Sequence, residues 1–265
     1  MTSSVFQAAY SALMASDVTK KIELTQRVRG RWFSGQLSMT ESVMALSCLV
    51  PGRPSRPKLV APRLLKARKL HTLEGKVAFI HALAHIEFNA INLALDAVYR
   101  FRNMPPEYYG DWLNVAVEEA DHFELLSARL SSLGHHYGDF PAHDSLWEMA
   151  IKTETGVLDR MAMVPRVYEA RGLDVTPGMI ERLQRLGDFQ SADILAVILR
   201  EEIGHVAIGN RWYLWACEKE NLDPQHTFSL LIKKYRPGPV KGPFNYAARI
   251  QAGFSEEELE QLERS

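Results

Sequence analysis

The chain has 265 residues, of which 46% are hydrophobic and 24% charged, with a formal net charge of -1. That length buries a core without disulfides or a structural metal, and nothing in the global balance demands nucleic acid or a membrane surface. Cys48 and Cys217 form neither a Cys-x-x-Cys pair nor a dense framework, which suits a reducing compartment and argues against a disulfide scaffold.

The opening Met-Thr-Ser-Ser-Val-Phe lacks a basic stretch followed by an apolar run, and the run from Ala192 to Leu199 is cut short by Arg200. A cytoplasmic protein with no membrane association is therefore expected. Residues 3–50 carry short helical patterns, and the Pro/Gly/Arg stretch from Pro51 to Pro57 breaks any helix. From Leu73 to Arg102 apolar residues recur three and four apart until Asn103-Met-Pro-Pro106 stops them, which predicts a first long helix. A second runs from Glu107 to Leu133 and ends at Gly134.

The third pattern covers Ser145 to Arg171, kinked at Pro165 and ended by Gly172, with a short piece from Pro177 to Leu186 after it. A fourth helix runs from Ser191 to Glu220. The tail carries a helix from Pro224 to Tyr235, a loop through Gly242-Pro243 and an acidic segment from Ser255. No strong period-2 strand pattern is present. The fold class expected is all-α, a four-helix bundle over residues 58–222, with a helical N-terminal extension and linker over 1–57 and a helical C-terminal tail over 223–265.

The second and fourth helices share one motif. Glu118-Glu119-Ala-Asp-His122 and Glu201-Glu202-Ile-Gly-His205 both read Glu-Glu-x-x-His. On an α-helix a Glu three residues before a His lies roughly 60° around and about 4.5 Å along the axis from it, so both side chains can meet one ion. A single such pair arises often by chance. Two pairs need one further carboxylate from each remaining helix to make a two-metal site.

The first helix offers Glu87 within an apolar stripe of Ile80, Leu83, Ala84, Ala90, Ile91, Ala94 and Leu95, where a lone carboxylate is costly. The third offers Glu169, near Ala162, Pro165 and Arg166, or Glu154, near Ala150, Ile151, Val157 and Leu158. Glu169 preserves the rhythm: 32 residues separate Glu87 from Glu119 and 33 separate Glu169 from Glu202, against 48 from Glu154. The candidate ligands are therefore Glu87, Glu119, His122, Glu169, Glu202 and His205, with Glu154 the rival for one place. Glu118 and Glu201 are candidates to accept the ring N–H of a ligand histidine on the opposite helix. His81 and His85 read as core or hydrogen-bonded histidines.

Five segments carry a resemblance: His81-Ala-Leu-Ala-His-Ile-Glu87, Glu118-Glu-Ala-Asp-His122, Gly138-Asp-Phe-Pro-Ala-His143, Met163-Val-Pro-Arg-Val-Tyr-Glu-Ala-Arg-Gly-Leu-Asp174 and Glu201-Glu-Ile-Gly-His-Val-Ala-Ile-Gly-Asn210. Through them the chain resembles the ferritin-like proteins of the family of unknown function DUF455, within the di-iron carboxylate superfamily. The resemblance implies a ferritin-like bundle and places the metal-ligand role on the same six residues. It supplies no substrate.

The function this implies is a di-iron carboxylate oxidoreductase, an oxygenase or oxidase using two Fe ions, or Mn or a mixed Mn/Fe pair, with O₂ as cosubstrate on an unknown small molecule. No flavin or dinucleotide fingerprint is present, so an external electron donor, a reductase or ferredoxin, is expected. A homodimer is compatible with the sequence.

Two other readings come from different classes. One is metal handling or peroxide reduction of ferritin or rubrerythrin type. The absence of Cys-x-x-Cys pairs weighs against a rubrerythrin relay, and about a hundred residues beyond a minimal bundle weigh against storage. The other is RNA modification of the tRNA-hydroxylase kind, suggested by the basic stretch from Arg53 to Lys76 and by Lys233, Lys234, Arg236 and Lys241.

Overall fold

The computed structural model describes residues 3–40, 45–66, 68–236, 238 and 240–264. Among them the protein is all-α apart from one parallel strand pair, β1 (Ser3–Ser4) with β2 (Leu37–Ser38), and an isolated bridge between Leu59 and Ala142. Period-2 reading misses such a pair because two residues cannot show alternation. The chain folds as two compact units, Met1–Ile151 and Lys152–Ser265.

In the first unit α1 (Val5–Leu13) and α2 (Val18–Phe33) pack on the hairpin of α3 (Leu73–Arg100) and α4 (Pro106–Ser132). Asp17 and Thr72 cap α2 and α3 by accepting the amide N–H three residues on, at 2.7 and 3.0 Å. A β-carbon on Gly75 would come within 2.0 Å of the Lys69 carbonyl oxygen, so the turn that enters α3 needs glycine there. Asn103 takes the left-handed conformation in the α3–α4 turn, with φ 63°. The Tyr109 hydroxyl closes that turn, donating to the Phe101 carbonyl at 3.1 Å and accepting from the Met104 N–H at 3.2 Å.

One helix among the described residues, Leu73–Arg100, is long and apolar enough to cross a membrane, with a mean hydropathy of 1.3 over its most apolar window. That window is 72% buried inside the protein, so its apolar surface is covered by the protein's own side chains.

In the second unit a broken helix lies along α8 (Phe189–Glu220). The single helix expected over 145–171 is instead α5 (Ser145–Lys152), which belongs to the first unit up to Ile151, and then, in the second unit, a turn, α6 (Val157–Met163), a π-helical stretch (Val164–Glu169) and α7 (Ala170–Arg185). The break has a local cause. Thr153 is buried and its hydroxyl accepts from Arg160 Nε at 2.9 Å, and Gly156 precedes α6 in extended conformation. Pro165 has no N–H and its ring crowds the carbonyl four residues back, and the wider π turn relieves both without ending the helix.

Gly172 does not terminate the helix, and the separate piece expected from Pro177 is part of α7, which runs through both residues. Pro177 leaves the Leu173 carbonyl without its usual amide, and Asn245 Nδ2 donates to that oxygen instead, at 3.1 Å. Nearby Arg249 grips Asp174 through two bonds of 2.8 Å, both side chains fully enclosed. The tail that supplies these groups contains α9 (Pro224–Tyr235), α10 (Tyr246–Gln251) and α11 (Glu256–Arg264).

Lys21 on α2 is fully buried, and its Nζ donates to the carbonyls of Ala12 and Leu13 and to Asn92 Oδ1, at 3.1, 2.6 and 2.8 Å. It ties the end of α1 to the middle of α3. Burial pulls its pKa down from 10.5 to about 7. Above pH 7 the unfolded chain therefore holds a proton that the folded chain has released, and stability rises with pH; below pH 7 both forms are protonated and the effect is absent. Urea unfolding of the wild type should gain up to about 1.4 kcal/mol per pH unit between pH 7 and 9, relative to Lys21→Met. Parallel pH profiles for the two proteins would contradict this.

Candidate metal centre

The first unit presents three enclosed donors. Glu87 comes from α3 with 5% of its surface exposed, and Glu119 and His122 come from α4 with none. His122 Nδ1 lies 3.5 Å from Glu119 Oε2 and 3.8 Å from Glu87 Oε2. Ligand atoms from all three residues lie within 4.8 Å of one another. They sit together because the i, i+3 spacing on α4 stacks Glu119 and His122 on one face, and that face meets the apolar stripe of α3 in which Glu87 stands. Ile80, Ala84, Ile91, Ala116, Phe123 and Leu126 around them are buried.

Burial works against a charged imidazole, but hydrogen bonding and charge from Glu119 and Glu87 outweigh it and lift the His122 pKa to about 11. The two carboxylates thus draw positive charge to this point of the core. Two carboxylates and an imidazole enclosed by buried side chains form an oxygen and nitrogen donor set suited to iron, manganese or zinc, so the residues fit a metal of the kind the sequence implies.

The second unit repeats the arrangement on α8. His205 is fully buried, and its Nδ1 lies 3.6 Å from Glu202 Oε1. Leu195 and Ile198 lie buried along the same helix. Glu169 is the last residue of the π stretch that packs against α8, and its Oε2 is sealed from solvent. Glu154, the rival, lies in the turn before α6 and not on the helix that reaches Glu169.

The flanking glutamates lie differently. Glu118 is exposed, and Glu201, half-buried, accepts from Arg200 at 3.0 Å. Burial holds His81 and His85 at pKa values near 4, hence neutral. His81 Nε2 accepts the Gly138 N–H at 2.9 Å, and His85 Nδ1 is 2.8 Å from the Tyr137 hydroxyl, so the pair fastens the connector after α4 onto α3.

The family described as "Protein of unknown function (DUF455)" matches residues 14–260. The chain belongs to this family. Over 214 residues the chain is also 50% identical to a Haemophilus influenzae protein called "Uncharacterized protein", covering 78% of this chain and 74% of that one. No solved structure matches the chain.

Gly209 is the site residue that sequence reading missed. A β-carbon there would lie 2.1 Å from Pro165 Cβ, so glycine alone lets the π stretch lie against α8. The available signal was an isolated glycine inside a strong helical pattern, one turn after His205. Gly204 is the contrast, exposed with open space around it. Gly209→Ala is expected to cost about 1–3 kcal/mol through overpacking, while Gly204→Ala gains about 0.5–1 kcal/mol through lower chain entropy. Chemical denaturation of both variants checks this, and equal effects would contradict the packing.

Proposed function

We propose that Glu87, Glu119, His122, Glu169, Glu202 and His205 together hold two divalent ions of the iron or manganese type, and that the protein is an oxidoreductase using O₂ on a small-molecule substrate. The observation that carries this reading is the repetition of one half-site in both units. A fully buried histidine presents Nδ1 to the glutamate one turn before it, at 3.5 Å on α4 and 3.6 Å on α8. Glu118 and Glu201 complete the proposal as groups that orient the ligand histidines from outside the metal shell.

When bound, such an ion pair supplies the redox chemistry and the activation of O₂. The chain's own residues do the rest. Four carboxylates balance the charge of two divalent ions and leave the imidazoles neutral, which removes the cost of enclosing Glu119 and His122. The aliphatic and aromatic side chains around Glu87, Glu119 and His122 keep water from the reacting atoms. Electrons come from a separate donor protein.

Loading the purified chain with Fe(II) without air should give about two ions per chain, and Glu202→Ala should lose at least one of them. A Glu202→Ala protein that keeps its full metal content sinks the ligand assignment. On mixing with O₂, consumption beyond that of free iron is expected, and none would turn the reading toward metal handling.

A further inference from the structure

A π turn is rare inside a helix and recurs at functional sites, so the groups packed around it matter. In this protein the holding group is Arg166, three residues before Glu169 and 1% exposed. Its guanidinium donates to Asn210 Oδ1 on α8 and to Glu258 on α11. Three rings enclose it, those of Phe228, Tyr213 and Phe254, with centroids at 4.4, 4.5 and 4.6 Å. Asn210 Nδ2 in turn donates to the Ala252 carbonyl at 3.1 Å, and Pro165 fits against Gly209.

Glu258 is also half of a capping box at the start of α11. Its Oε2 accepts the Ser255 N–H at 3.0 Å while the Ser255 hydroxyl accepts the Glu258 N–H at 3.1 Å. One carboxylate therefore joins the last helix to the π stretch. A cap alone is served equally by glutamine; the buried guanidinium requires the charge.

We propose that Arg166 and Glu258 are positioning residues, through which the C-terminal segment clamps the π stretch and fixes Glu169 for metal binding. This rests on the six-ligand reading above. The tail thus supports the metal centre's scaffold, although none of the six proposed ligands comes from it.

Titrating the full chain with Co(II), followed by visible absorption, tests the clamp. The wild type should take up about two equivalents. Glu258→Ala should bind one equivalent at least about tenfold more weakly, with the spectral change that Glu169→Gln produces. Glu258→Gln, which keeps the capping bond, should fall between wild type and Glu258→Ala. If both Glu258 variants titrate as wild type while melting at lower temperature, the pair is merely structural and the clamp is overturned. Should the alanine variant not fold, the glutamine variant decides alone, and wild-type titration by it overturns the clamp. A wild type that takes up no Co(II) overturns the ligand reading and the clamp with it, an outcome that the wild-type titration separates from failure of the clamp alone.

Discussion

Carboxylates enclosed on otherwise apolar helix faces are the constraint on which the rest of this protein depends. Glu119 and His122 have no exposed surface, and Glu87 has almost none. An isolated ionised carboxylate in such surroundings is expensive, and it survives only with a cation close by. The raised pKa of His122 expresses the same demand, because two carboxylates pull a proton onto an imidazole that burial would otherwise keep neutral. In this chain the buried cluster of Glu87, Glu119 and His122 has the donor set that a metal ion would need.

The second unit solves a different problem, that of running one continuous helical path through Pro165 and Pro177. Each proline removes an amide, and each loss is made good by a device outside the helix. At Pro165 the helix widens into a π turn seated against Gly209 and gripped through Arg166. At Pro177 the tail's Asn245 serves the orphaned Leu173 carbonyl, beside the enclosed Arg249–Asp174 pair. The C-terminal segment therefore packs into the broken helix that carries Pro165, Glu169 and Pro177.

The legible parts of the sequence were those decided by local period and local caps. The 28-residue α3, the helix over Pro224–Tyr235 and the start of α4 at the prolines all follow from apolar spacing and helix breakers. The i, i+3 pairing of Glu119 with His122 and of Glu202 with His205 was legible too, since helical geometry alone brings them together. The illegible parts depend on partners far along the chain. Gly172 and Pro177 read as a helix end because nothing nearby hints that Asn245, about seventy residues on, will complete the backbone. The buried Thr153–Arg160 bond breaks the third helix where the apolar pattern continues.

We propose that the two Glu-x-x-His half-sites serve one pair of ions. X-ray absorption of the protein loaded with Mn(II) or Fe(II) tests it most directly. A shell of oxygen and nitrogen only, outer scattering from imidazole, and a metal–metal vector at about 3.5–4 Å are expected. A shell containing sulfur from Cys48 or Cys217, or a lone ion with no metal neighbour, would contradict it.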